Sequence, residues 1–109
     1  MVTIEKNSFD TIKQQIAEHP LILYMKGTPD KPCCGFSARI VQILKACWVK
    51  FAHVNVLANA EIRRDLPHYS KWPTFPQLYY NGELMGGCDI IEQLYKSGEL
   101  QKKLSKIWF

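Results

Sequence analysis

Long hydrophobic runs are missing from this chain of 109 residues. The longest unbroken one, Leu21-Ile22-Leu23-Tyr24-Met25, falls far short of the roughly 20 residues a helix needs to cross a bilayer. The opening residues Met1-Val2-Thr3-Ile4-Glu5-Lys6 lack the apolar core of a secretory signal. No membrane association is expected, and a reducing, cytoplasmic setting follows. A basic stripe interleaved with aromatics is missing too. The net charge is only +4, and its lysines are scattered or sit on helix faces, as at Lys102, Lys103 and Lys106, so no nucleic-acid partner is expected. His19, His53 and His68 have no metal-site spacing. There is no internal repeat, linker or low-complexity stretch, and residues 1–109 read as one domain.

What is present is ordinary in bulk and pointed in detail. With 47% hydrophobic and 22% charged residues the composition is that of a globular fold. Phe9, Ile12 and Ile16 recur at helical spacing within 3–18, capped by Thr3 or Ser8 and closed by Pro20. The apolar run Leu21–Met25 reads as a strand buried on both faces. Phe36, Ile40, Ile43, Leu44 and Cys47 mark one stripe of a second helix, with Arg39, Gln42 and Lys45 outside. A second strand is expected over 51–56. Asn59 is placed to cap a short helix that ends before Pro67. A proline-bracketed segment, Trp72-Pro73-Thr74-Phe75-Pro76, enters a third strand over 77–80. Asn81-Gly82 then signals a hairpin into a fourth strand over 83–85. Helices over 89–96 and around Leu100, Leu104 and Ile107 close the chain. The order α-β-α-β-α-β-β-α-α predicts an α/β fold with a four-stranded mixed sheet flanked by helices.

The chemistry concentrates at Pro32-Cys33-Cys34-Gly35-Phe36-Ser37, where a Pro/Gly-rich loop meets the second helix. A helix that starts near Gly35 places the Cys34 thiol over its first turn, where free N–H groups and the positive dipole end favour a thiolate. Lys26 ends the preceding apolar run and brings a cation to the same place. Four cysteines without a secretory signal read as thiols rather than as a disulfide framework. Cys47 lies more than three turns along the helix from Cys34, about 20 Å away, so packing is its role. Ser37 leaves no Cys-x-x-Cys pair, and a hydroxyl cannot resolve a mixed disulfide by thiol exchange. A helix-surface position for Ser37 is compatible with this.

Cys34-Gly35-Phe36-Ser37 is the CGFS signature, and the chain resembles the monothiol glutaredoxins. The likeness extends to Met25-Lys26-Gly27-Thr28-Pro29, Trp72-Pro73-Thr74-Phe75-Pro76-Gln77-Leu78, Gly82-Glu83-Leu84 and Gly86-Gly87-Cys88-Asp89-Ile90. It implies a thioredoxin-like fold, glutathione binding, and a [2Fe–2S] cluster shared by two protomers, each giving one cysteine thiolate and one glutathione thiol. It also implies iron–sulfur storage, transfer and assembly, delivery to client apoproteins, and a BolA-like partner. Cys34 then serves as catalytic thiol and cluster ligand. Lys26 and Arg63 match the positions that bind the glycyl carboxylate of glutathione. Thr74, Phe75 and Pro76 match the cis-proline turn that pairs with its peptide. Gly87, Cys88 and Asp89 open a helix whose N–H groups suit the γ-glutamyl carboxylate. Outside the resemblance, Lys26 and Arg63 read as surface cations and Asp89 as a helix cap. Cys88 is also a possible redox partner of Cys34, while Cys33 either adds a redox branch or packs in the loop. Two other functions compete: a glutathione-dependent thiol–disulfide oxidoreductase using one thiol, and a redox or iron regulatory module whose main act is binding a partner.

Overall fold

The computed structural model describes residues 8–105. Its centre is β1 (Leu21–Met25), buried along its whole length, as an apolar run without polar alternation requires. β2 (Ala52–Asn55) pairs parallel to it in a register that sets Met25 beside Asn55. β3 (Gln77–Tyr80) pairs antiparallel on the other side, with Tyr24 beside Gln77. β4 (Glu83–Gly86) follows through the Asn81-Gly82 turn, both residues at positive φ. The sheet order is β2-β1-β3-β4, the expected four-stranded mixed sheet.

Side chains alternate across β1, which divides the core into two layers. Ile22 and Tyr24 meet Ile12 and Ile16 of α1 (Ser8–Glu18) and Ile62 and Leu66 of α3 (Ala60–Ser70). Leu21, Leu23 and Met25 meet Ile40, Val41 and Leu44 of α2 (Gly35–Ala46). Ile91 of α4 (Cys88–Ser97) and Leu100 and Leu104 of α5 (Glu99–Leu104) complete that second layer. Each such side chain contributes about 1.5–3 kcal/mol by leaving water. Among the described residues no helix is long and apolar enough to cross a membrane.

Several expectations change. The α2 stripe does not include Phe36, which is 63% exposed; Ser37 takes the inward position of that turn and is fully buried. The inward set, Ser37, Ile40, Val41 and Leu44, still has helical spacing, but its first member is polar. The third helix does not stop before Pro67; it runs through that residue to Ser70. Pro67 has no N–H for the Arg63 carbonyl, a cost of up to about 3 kcal/mol. Buried Ile62 and Leu66 before Pro67, and partly buried Tyr69 after it, hold the helix against that layer of the core. Asn59 does occupy the N-cap position of α3, yet its side chain makes no capping bond. It donates instead to the Asn55 carbonyl. Ser8 is already within α1, with its hydroxyl donating to Asp65; Thr3 and Ile107 lie outside the described residues.

Candidate functional site

The loop before α2 is folded against itself. Thr28 and Lys31 exchange backbone hydrogen bonds of 3.2 and 3.1 Å, and Cys33 N–H donates to the Lys26 carbonyl at 2.9 Å. Gly27 sits at φ 92°, and a Cβ there would lie 2.5 Å from the Lys31 carbonyl oxygen. No side chain can replace its hydrogen without opening the loop. This close packing brings the chain into α2 with Cys34 as the N-cap, in extended conformation.

From that position the Cys34 sulfur turns back over the helix start. It accepts from Ser37 N–H at 3.3 Å, and Ser37 Oγ lies 3.3 Å away. Ser37 Oγ also accepts from Lys26 N–H at 3.1 Å. Burial pushes the Cys34 thiol up. The Ser37 hydroxyl, the Ser37 and Phe36 N–H groups and the Lys26 charge outweigh that, so the net shift is downward. The residue in the second-cysteine position is therefore no surface residue. It is a buried polar group shared by the thiol and the end of β1.

Beside the thiol lies a cleft of about 720 Å³. Lys26 and Arg63, Thr74, Phe75 and Pro76, and Gly87, Cys88 and Asp89 all line it, so the eight residues singled out for glutathione come together from four parts of the fold. Cys34 is not among its lining residues, but Lys26 and Phe36, which interact with the sulfur, are. The Phe75–Pro76 peptide is cis. Gly87 caps α4 from extended backbone; a Cβ there would lie 3.3 Å from both the Pro76 carbonyl oxygen and Trp72 Nε1. Its absence lets the start of α4 close on the proline turn. Trp72 Nε1, buried on that same contact, has no hydrogen-bond partner among the described residues.

The remaining thiols separate by environment. Cys88 is half-buried at the first residue of α4. Burial pushes its thiol up, Glu92 and Asp89 add to this, Arg39 opposes it, and Cys34 adds a further part. Cys33 is exposed, with its sulfur turned to the Lys31 carbonyl at 3.7 Å. Cys47 is buried in the apolar layer, as its stripe position predicts. Among the described residues, which include all four cysteines, no three ligating side chains form a metal-binding group.

Sequence reasoning missed three supports of this site. Gln77, fully buried, donates from Nε2 to the Trp72 and Thr74 carbonyls at 2.9 and 3.2 Å and accepts from the Tyr79 hydroxyl. It braces the proline turn from inside the sheet. Asn55 accepts from Gly27 N–H and ties the cysteine loop to β2. Phe36, read as core, lines the cleft. Gln77 and Asn55 are polar residues at the first position of β3 and the last of β2, where a polar side chain is ordinary and gives no sequence signal.

A family model described as Glutaredoxin matches residues 21–85, from the central strand to β4. Glutaredoxin 4 of Escherichia coli K12 is 55% identical over 104 residues, covering 95% of this chain and 86% of that protein. The chain belongs to the glutaredoxin family. Poplar GrxS14, solved as the reduced apo protein, superposes on this glutaredoxin with a TM-score of 0.76 at 52% identity, covering 89% of each chain. A truncated Trypanosoma brucei 1-C-Grx1 gives 0.82 at 32% identity, covering 94% of this chain and 93% of that one. With Ser37 in place of a second active-site cysteine, this is a monothiol glutaredoxin of thioredoxin-like fold.

Proposed function

We propose that this glutaredoxin binds glutathione in the cleft and uses Cys34 with the glutathione thiol to hold a [2Fe–2S] cluster between two protomers. The observation that carries this reading is one activated thiol, Cys34, beside a cleft lined by two cations, Lys26 and Arg63, and by a helix start whose cap, Gly87, has no side chain to satisfy its N–H groups. Lys26 and Arg63 suit the glycyl carboxylate, and the start of α4 at Gly87, Cys88 and Asp89 suits the γ-glutamyl end. The backbone of Thr74, Phe75 and Pro76 suits the peptide between them. A [2Fe–2S] cluster needs four thiolates. Cys47 is buried away, Cys33 is turned to its own loop, and burial with Glu92 and Asp89 holds Cys88 toward the protonated thiol, so a donor set of Cys34 and glutathione from each protomer fits the residues present. Bound in this way, the cluster is a labile cargo that ligand exchange can hand over. Storage, transfer and assembly of iron–sulfur clusters follow, with client apoproteins and a BolA-like protein as partners.

Anaerobic reconstitution with iron, sulfide and glutathione tests this. The expected result is a sulfide-to-iron charge-transfer spectrum on a species of dimer mass, absent when glutathione is omitted. A colourless monomer overturns it and leaves the oxidoreductase reading, in which Cys34 carries glutathione as a mixed disulfide that a second glutathione removes. The activation of Cys34 supports that reading also. Rapid turnover of a small glutathionylated substrate would then be expected.

A further inference from the structure

We propose that Asn55 is a positioning residue that sets the spacing of Lys26 and Arg63, two cations that line the cleft. The proposal rests on the reading that this pair takes the glycyl carboxylate of glutathione, and deepens it by naming what fixes the pair. Lys26 and Arg63 come from separate elements. Lys26 follows the last residue of β1, and Arg63 stands in the first turn of α3. Two long side chains can grip one carboxylate only if their backbone roots are held in place, because each brings several rotatable bonds that binding must freeze.

Asn55 lies between those roots. It ends β2 beside Met25. Its Oδ1 accepts from Gly27 N–H at 2.9 Å and from Leu57 N–H at 3.0 Å, which uses both lone pairs of a carbonyl oxygen. Its backbone carbonyl accepts from Asn59 Nδ2 at 2.9 Å and from Ala58 N–H at 3.1 Å. The Asn59 carbonyl in turn accepts from Arg63 N–H at 2.9 Å. A continuous hydrogen-bonded path thus runs from the residue after Lys26 to the backbone of Arg63, and Asn55 is its joint. The Lys26 end has little freedom of its own. Lys26 N–H is held by Ser37 Oγ, and Gly27 is pressed against the Lys31 carbonyl and the Cys33 nitrogen. Asn59 makes no capping bond to its own helix; the bond from Nδ2 holds its side chain toward Asn55.

The test compares reduced glutathione with its glycyl monoethyl ester, which keeps everything except the carboxylate charge at that end. Affinities are read by amide-shift titration of the apoprotein, so no cluster is needed. The wild-type protein is expected to prefer glutathione over the ester. Asn55→Ala is expected to lower that preference roughly three- to tenfold, the net worth of one or two hydrogen bonds, while its affinity for the ester stays near that of the wild type. General structural damage would weaken both ligands alike and leave the preference intact, and that result overturns the proposal. A wild-type protein without preference overturns the carboxylate reading of Lys26 and Arg63, and the role of Asn55 with it. Preference in the wild type that persists in Asn55→Ala overturns the role of Asn55 alone. Should Asn55→Ala fail to fold, Asn59→Ala carries the test. Asn59 is exposed, and removing its amide takes out one bond of the path. A preference reduced about twofold supports the proposal, and an unchanged one overturns it.

Discussion

Cys34 and Cys88 both stand at the start of a helix, yet their surroundings push the two thiols in opposite directions. Cys34 is held below its ordinary range and Cys88 above it. The difference lies in one residue of helix register. Cys34 is the N-cap of α2, so its sulfur can fold back and accept from the N–H three residues on, as a capping serine or aspartate does. Cys88 is the first residue inside α4, with Gly87 as the cap; burial pushes its thiol up, and the carboxylates of Glu92 and Asp89 add to this. A helix N-terminus therefore does not activate a cysteine by proximity alone. At Cys34 the sulfur takes the capping position and the nearby charge, Lys26, is positive.

Removing each thiol in turn is the strongest way to break this comparison. Cys34→Ser should abolish cluster reconstitution completely, whereas Cys47→Ser should leave it largely intact, as read from the visible spectrum. Cys47 is packed in the core, so the cost of that change should appear in the melting temperature. Equal loss in both variants would mean that damage to the fold, not removal of a ligand, accounts for it.

Next in size is the pH dependence of alkylation. Only the thiolate reacts. Cys34, with its thiol lowered, should reach its plateau rate at lower pH than an ordinary cysteine, and Cys88 should reach it at higher pH. At neutral pH Cys34 should thus react several-fold faster, with tandem mass spectrometry separating it from adjacent Cys33. The same shifts enter stability with opposite signs. The lowered Cys34 thiol favours folding above its unfolded pKa, a contribution lost as pH falls through the folded value. The raised Cys88 thiol favours folding below its unfolded pKa, a contribution lost as pH rises through the folded value.

The asymmetry also gives a direction to disulfide chemistry. With glutathione disulfide as oxidant, the Cys34 thiolate attacks one sulfur and releases one glutathione. The Cys88 thiolate then attacks the mixed disulfide at the Cys34 sulfur and releases the second. We expect a Cys34–Cys88 disulfide that prevents cluster binding, and peptide mapping after mild oxidation checks it. Products linked only through Cys33, or glutathionylated at Cys34 without further change, would remove Cys88 from the pair.

Much of this arrangement was legible beforehand because it is written in local chemistry. β1 over 21–25 and β3 over 77–80 keep their expected limits, since each is a compact run stopped by proline, glycine or asparagine. Of the residues lining the cleft, Lys26, Thr74, Phe75, Pro76, Gly87, Cys88 and Asp89 were legible in motifs, and Arg63 through the resemblance. What escaped depends on tertiary juxtaposition. Ser37 is buried although it is polar, because α2 turns that face toward the end of β1. Phe36 is exposed although it is aromatic, because its face of the first turn opens to the cleft. Pro67 fails to stop α3 because packing of Ile62 and Leu66 before it and Tyr69 after it outweighs one missing hydrogen bond. No property of an asparagine in sequence reveals that two backbone amides from different segments converge on its oxygen, as they do at Asn55.

The smallest effect probes why Cys88 is raised. Glu92 accepts from Arg39 across α2 and α4 at 3.2 Å and lies 3.7 Å from Lys96. Replacing it by glutamine, Glu92→Gln, removes a negative charge near Cys88 and frees the Arg39 charge that opposes the shift. The Cys88 alkylation profile should move to lower pH while that of Cys34 stays. The movement should be partial, because burial is the larger cause and remains. Loss of these half-exposed ion pairs should cost only about 0.5 kcal/mol in a denaturant titration, too little to disturb the fold that the comparison requires. An unmoved Cys88 profile would assign the whole shift to burial. The two helix starts would then differ by register and solvent alone, with the carboxylates of α4 as bystanders.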